Sequence, residues 1–469
     1  MRNYIFLIVT VLSISFSHVL AGSWDGMGSV DDPYLIVSIE QLIELADYVN
    51  AGNDCEDYYF RLENDVYLPL QSNGDKQTWT PIGSFLNPFA GNFDGNYHYI
   101  EGLCFKGGNY VGLFGCTTSS ACIKNVYMSQ SDGWSAYYMG NICGFNEGRI
   151  ENCQTLSCAI TCAYVIGGIA GVNVGIVKDC ANQSYVCSGV ATGGIVGFNY
   201  GEVVNCSNNR NFDGILGSGG IVGYNGGFDH IPCDHPEQRY AFIDCCENHG
   251  FLNAELYAGG ICGRNDGYIS NCCNSASVKG DNYCGGIVGV NGSELNGRGY
   301  VYNSYNKGAV IAMDSIVGGV CGENTSSGVI ANVYNSADVH ISSYLTATVV
   351  AENKGGLENC FDFSKSVEDT CVNMLLNWVS TQEGSDFCQW KVYEGLPYIE
   401  HSSLPATVQD LNVDTYETYY AYEYVNVPPG AFIYTIHGAL LYRNNTISYK
   451  YIHLPMGVYI MGGRKIVVR

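Results

Sequence analysis

From about residue 110 to residue 360, short runs rich in Ile and Val alternate with glycines and polar turns, and the apolar positions show no helical spacing. The fullest form of this line is Gly193-Gly194-Ile195-Val196-Gly197-Phe198-Asn199-Tyr200-Gly201-Glu202-Val203-Val204-Asn205-Cys206. Earlier copies read Gly167-Gly168-Ile169-Ala170-Gly171-Val172-Asn173-Val174-Gly175, closing on Asp179-Cys180, and Gly140-Asn141-Ile142-Cys143-Gly144-Phe145-Asn146-Glu147-Gly148, closing on Asn152-Cys153. Later copies start at Gly219, Gly259, Gly285 and Gly318. Asn173 to Asn199, Asn199 to Asn225 and Asn265 to Asn291 are each 26 residues. A fixed period of this length with strand-like runs and tight turns predicts an all-β chain: a right-handed parallel β-helix (solenoid), one repeat to one coil.

In such a stack each repeat position becomes a column whose members meet only their counterparts about 4.8 Å above and below. One column is predicted to hold Asn146, Asn173, Asn199, Asn225, Asn265, Asn291, Asn324 and Asn353. Stacked amides can hydrogen-bond along the column, and Asn tolerates a left-handed turn. A second column, seven residues on, is expected to hold Cys153, Cys180, Cys206, Cys272 and Cys360, with Cys245, Ser304 and Val333 taking the place after longer loops. A small, nearly apolar thiol suits a narrow interior, so these cysteines are read as core.

The ends differ from the middle. Residues 1–21 carry Arg2, an apolar run from Ile5 to Val11 and the small-residue ending Val19-Leu20-Ala21, the pattern of a signal peptide. Residues 22–109 are expected to form an N-terminal cap, with a short helix between Ser38 and Gly52 whose apolar stripe is Ile39, Leu42, Ile43, Leu45, Ala46 and Val49. Residues 110–360 form the repeat body, and 361–403 a closing segment with helical spacing from Val367 to Trp378 followed by Trp390 to Tyr398. Residues 404–469 are predicted to form a small C-terminal β module, in which Tyr420, Tyr422 and Tyr424 would share a strand face. The repeat body has two insertions, Gly226 to Tyr240 and Gly292 to Arg298, both just after the column Asn, so both should emerge on one flank.

The Gly-Gly-Ile-Val-Gly-x-Asn-x-Gly-x-Val-x-Asn-Cys line resembles the GLUG repeat of bacterial surface and secreted proteins. The segments Asp32 to Ile36, Trp79 to Gly83 and Phe89 to Leu103 are similar to what precedes such repeats, with Tyr97 where Gly is usual. The ending, with Ile433 to Gly438, Leu454 to Ile460 and Arg464 to Arg469, resembles the C-terminal sorting domain of type IX secretion cargo, with His437 where an acidic or polar residue is commoner. These resemblances imply a secreted protein or one held on the outer surface of a Gram-negative bacterium. GLUG repeats also occur in IgA-specific metallopeptidases, but no His-Glu-x-x-His run is present to supply a zinc site and a general base.

Charge and chemistry narrow the function. The chain has 21 basic and 45 acidic residues, and removing Arg2 with the signal leaves 20 against 45, a net of −25, which disfavours nucleic acid and acidic lipid as partners. No transmembrane segment is predicted. The 22 cysteines of an exported chain are read as buried ladder thiols together with disulfides in loops. His230, Cys233, Asp234 and His235, with Cys245, Cys246 and His249 nearby, could suggest zinc, but without a CxxC pair a surface loop with a disulfide is the preferred reading. Lys124, Glu147, Arg149, Glu151, Lys178, Asp179, Glu202 and Arg264 are scattered, and Glu147 and Asp266 share a column with Val174 and Tyr200 between them. No catalytic, cofactor-binding or metal site is assigned, and no cofactor. The expected function is non-catalytic binding, adhesion or display, with a glycan or host protein as ligand and the 37 tyrosines as candidate contacts. The alternative is a β-helix polysaccharide lyase or glycoside hydrolase.

Overall fold

The computed structural model describes residues 23–399 apart from 71–75, 227–240, 294–296, 314–315, 342–343, 347–348, 383–386 and 394, together with strand backbones between Thr418 and Val468. The chain divides between Glu368 and Asp369 into two compact units.

The first unit is a parallel β-solenoid. One coil runs through the strands Glu202–Val204, Ser207–Asn208, Phe212–Gly214, Gly217–Gly219 and Val222–Asn225. Each strand pairs in parallel with its counterpart in the next coil: Val203 with Ile243, Asn208 with Asn248, Phe212 with Leu252, Ser218 with Ala258 and Val222 with Cys262. The insertion after Asn225 is therefore absorbed without loss of register. Side chains alternate across each short strand, which sends Ile150, Val177, Val203, Ile243, Ile269 and Val301 into one fully buried column. Each such side chain contributes about 1.5–3 kcal/mol on burial, and a lone coil could bury none of them on both sides.

The paired glycines sit at a corner where backbone packs directly on backbone. A Cβ on Gly193 would lie 1.8 Å from the Val196 carbonyl oxygen, and one on Gly194 would lie 2.1 Å from that of Gly220. No larger residue fits either place without moving backbone.

The stack also extends below Tyr110. Tyr34–Ile36, Tyr59–Leu62, Asn92–Asp94 and Cys122–Lys124 pair successively in parallel. Helix α1 (Ile39–Asn50) buries Ile39, Leu42, Leu45, Ala46 and Val49 in the same core as the coils. Ser38 caps it, its hydroxyl accepting from the Gln41 backbone N–H, while Gln41 Oε1 accepts from the Val37 backbone N–H.

The second unit begins with α2 (Asp369–Thr381), which buries Val372, Leu375, Trp378 and Val379. A hairpin of Trp390–Tyr393 with Leu396–Ile399 follows, turning at Gly395 with φ +84°. Among the described residues beyond it, Thr418–Ala421, Phe432–Thr435, Leu440–Arg443, Gly457–Met461 and Arg464–Val468 form one five-stranded mixed sheet, and Tyr424–Val427 pairs with Lys450–His453 in another. Tyr420 and Tyr424 thus lie in different sheets and do not share a strand face; Tyr422 lies outside the described residues.

Three columns depart from the sequence expectation. The eight column asparagines end extended strands and have no left-handed backbone. A left-handed column lies instead just before the thiol position: Asn125, Asn152, Asp179, Asn205, Asn271, Asn303, Asn332 and Asn359, with Cys245 taking the same role at φ +53°. Cys245 is consequently not a member of the interior thiol column. Cys246 is, because Ser207 pairs with Glu247 and so sets Cys206 opposite Cys246. The column Cys153, Cys180, Cys206, Cys246 and Cys272 is buried as free thiols, and burial pushes Cys153, Cys206, Cys246 and Cys272 above the ordinary thiol range. The signal segment 1–21 and the loop carrying His230, Cys233, Asp234 and His235 lie outside the described residues.

Candidate functional site

The asparagine column fixes the scaffold. Each Nδ2 donates to the Oδ1 of the next coil, from Asn146 through Asn173, Asn199, Asn225, Asn265, Asn291 and Asn324 to Asn353, at 2.8–2.9 Å. A second, parallel column joins Asn182, Asn208, Asn248, Asn274, Asn306 and Asn335 at 2.7–2.9 Å. Sequence reasoning missed it, although the signal is plain in Asn205-Cys206-Ser207-Asn208 and Asn271-Cys272-Cys273-Asn274. Apart from Asn353 at the exposed end of the first column, these amides are fully buried and bonded within the stack, so they hold the coils and leave nothing for a ligand.

The charged residues noted in the sequence spread over the outer faces. Lys124 reaches Asp94 at 3.4 Å, Arg149 reaches Glu151 at 3.8 Å, Lys178 reaches Asp179 at 3.8 Å and Lys354 reaches Glu323 at 2.7 Å. Such half-exposed pairs contribute little to stability. Glu147 and Asp266 share a column as expected, but four coil steps separate them, about 19 Å at the usual strand spacing. A hydrolase carboxyl pair needs about 5–9.5 Å. Cys246 sits in the core, while His249 lies on the outer face beside Ser275 Oγ at 2.6 Å and Glu247 Oε2 at 3.1 Å, so these two do not converge.

Asp266 differs from the other acids. It lies in the coil between those that carry the two insertions, and its side chain is only 2% exposed. Arg264 Nε approaches its Oδ2 at 3.4 Å, and its Oδ1 has no hydrogen-bond partner among the described residues. Burial pushes its pKa up to about 6, the nearby Arg264 guanidinium limiting the rise.

Aromatic side chains gather elsewhere. The strands holding Tyr110, Tyr138, Val165 and Ala191 and those holding Phe145, Val172, Phe198 and Tyr224 meet at a corner, where these side chains build a second small core outside the main one. At its first coils the corner opens. The turn at Ser84–Asn87, closed by the Asn87 N–H to Ser84 Oγ bond at 3.2 Å, presents Phe85 at 51% and Leu86 at 86% exposure. The Phe85 ring stacks on Tyr110 (5.6 Å, 12°), and Tyr110 stacks on Tyr138 (5.3 Å, 14°). Asn50, the last residue of α1, ties this turn down: its Nδ2 donates to the Pro81 carbonyl at 2.9 Å, and its own carbonyl accepts from Asn87 Nδ2 at 2.9 Å. Between the turn and Gly108-Asn109-Tyr110 lies an open cavity of about 560 Å³. Exposed Trp134 and Tyr137 stand nearby, Trp134 against Gly107 and Tyr137 beside Tyr138 at 6.3 Å.

Exposed large apolar side chains grouped beside a cavity that Phe85 lines are the arrangement expected of a binding surface, whereas the same residues scattered singly would need no explanation. The sequence signal for part of it was available: Tyr110, Tyr138, Tyr257 and Tyr283 occupy one aligned column, two residues before the glycine that closes each strand or its equivalent.

No family model matches this chain. Over 142 residues, 29% of this chain, it is 32% identical to a protein of Evansella cellulosilytica described as a "Putative Gly-rich membrane protein". Over 134 residues, 27% of this chain, it is 28% identical to halomucin of Haloquadratum walsbyi. The chain spans 15% and 1% of the lengths of these two relatives. A solved structure from Bacteroides ovatus, described as a "putative immunoglobulin A1 protease", is similar over 80% of this chain and 94% of that one, at 20% identity and a TM-score of 0.42.

Proposed function

We propose that this chain is a secreted or surface-held β-solenoid that binds a glycan or a host protein and displays that surface on a stiff stack of coils. The observation that carries the reading is the exposed pair Phe85 and Leu86 on a turn that α1 holds in place, Phe85 lining the cavity, with exposed Trp134 against Gly107 and exposed Tyr137 beside Tyr138. Pre-organised aromatic anchors of this kind lose little entropy on binding. The resemblance of the repeat line to GLUG repeats supports the same role. The resemblance of residues 404–469 to a type IX sorting domain supports a location on the outer surface of a Gram-negative bacterium, with that module serving location.

Two measurements test this. The full chain, immobilised, should bind a mucin-type glycoprotein saturably and return it intact. Release of shortened glycans or peptide fragments would make the protein an enzyme, and absence of binding would remove the adhesion reading. Deleting Leu404 to Arg469 should leave the solenoid's thermal transition unchanged and reduce the surface-held fraction of exported protein. An unchanged distribution would dispose of the sorting role.

One observation favours the alternative of a polysaccharide lyase or hydrolase. Asp266, with its pKa raised to about 6, has the proton affinity of a general acid working near neutrality. That alternative requires reducing ends to be released from a polysaccharide by the native chain and not by the Asp266→Asn variant.

A further inference from the structure

We infer that the cavity between the Ser84–Asn87 turn and Gly108-Asn109-Tyr110 is a subsite for an uncharged sugar ring of a glycan, with Phe85 as its stacking platform. The inference rests on the proposed binding function and narrows it to neutral glycans.

Three features of the site point to this ligand class. The first is shape: at about 560 Å³ the cavity falls within the roughly 300–1,000 Å³ of small-molecule sites. The second is the platform. Phe85 is half exposed, and the Tyr110 and Tyr138 rings stacked behind it hold it in position. The C–H face of a pyranose is apolar and carries slightly positive hydrogens, which suit the negative face of an aromatic ring.

The third feature is the polar complement. Thr80 and Asn109 line the cavity with side chains that make no hydrogen bond among the described residues. Asn50 spends its Nδ2 on Pro81 and leaves its Oδ1 available. Hydroxyls of a sugar both donate and accept, so one hydroxyl-bearing ligand can match an amide nitrogen, an amide oxygen and a threonine hydroxyl together. None of the nine lining residues carries a charge, and burial pushes the Tyr110 phenol up to about 12, which keeps it neutral. A uronic or sialic acid would find no cation among the described lining residues and would approach a chain of net charge −24.

The test is calorimetric titration of the full chain with neutral hexasaccharides of the malto-, cello- and manno- series and with an acidic oligogalacturonate of equal length. At least one neutral hexasaccharide should bind, and Phe85→Ala should weaken it about tenfold or more, the loss of one stacking contact. Phe85→Trp should retain binding, and Tyr393→Ala, at an exposed tyrosine of the second unit, should leave it unchanged. Phe85 is exposed, so its replacement does not threaten folding, and an unaltered thermal midpoint checks this. Preferential binding of the oligogalacturonate would overturn the inference. Neutral binding indifferent to Phe85→Ala would also overturn it while leaving a glycan-binding protein whose site is elsewhere. Absence of binding to every oligosaccharide and to the mucin would remove both readings together.

Discussion

Replacing Asn199 with alanine is expected to destabilise the solenoid by about 3–5 kcal/mol, while the same replacement at Asn353 should cost less than about 1 kcal/mol. Both residues belong to one column and make the same kind of bond. Asn199, however, is fully buried in the middle of the stack. Its Nδ2 donates to Asn225 Oδ1 at 2.8 Å and to the Gly201 carbonyl at 3.1 Å, and its Oδ1 accepts from Asn173 Nδ2 at 2.9 Å and from the Gly201 N–H at 3.2 Å. Alanine strands the Asn225 oxygen and the Gly201 N–H where water cannot replace the lost partner, and opens a small void besides. Asn353 is exposed at the end of the column, so water takes over its bonds to Asn324 and Gly355. Guanidinium midpoints of the two variants measure the difference. Equal midpoints, or a loss at Asn199 below about 1 kcal/mol, would show that the column adds little beyond the backbone ladders.

The column asparagines and the glycine corners were legible in the sequence because each is imposed by backbone geometry that repeats with every coil. A residue that must fit between two carbonyls, as at Gly193 and Gly194, leaves the same mark at each turn of the period. Insertions blur such marks. Counting seven residues from the column Asn works only while the loop length is constant; Cys245 lies 20 residues beyond Asn225, and the Asp244-Cys245 ending after the longer loop points to the wrong one of two adjacent thiols. Counting back from the buried aliphatic residue would have succeeded, since Val203-Val204-Asn205-Cys206 aligns with Ile243-Asp244-Cys245-Cys246.

The cavity was not legible for a different reason. Asn50 ends a helix, Thr80 to Phe85 belong to a turn outside the repeat, and Gly108 to Tyr110 open the first regular coils. Three segments with no common spacing become neighbours only when the stack forms. The stacking of Tyr110 on Tyr138 follows from the 26-residue logic with small offsets, but nothing in the period places Phe85 against them.

Exchanging Asp266 for asparagine should stabilise the protein at pH 7, by on the order of 2 kcal/mol, and should flatten its stability between about pH 4 and pH 7. The folded chain raises this carboxyl from an ordinary 3.8 to about 6, burial outweighing the attraction of Arg264. Between those values the folded state keeps a proton that the unfolded state has released. Stability from this residue is therefore fully present below about pH 4, declines as pH rises towards 6 and stays lost above it. An asparagine has nearly the same shape, never ionises, and brings an amide in place of an oxygen that has no partner among the described residues. Arg264 keeps access to water, its side chain being 25% exposed, so it is not left as a buried lone charge. The difference in guanidinium midpoint between the native chain and Asp266→Asn, followed from pH 4.5 to 7.5, isolates this residue from the other carboxylates. A variant less stable than the native chain at pH 7 would mean that the ionised Asp266–Arg264 pair outweighs the burial of the carboxylate. A retained burial penalty, by contrast, is what a chain tolerates when a carboxyl near neutrality serves a purpose other than holding the fold.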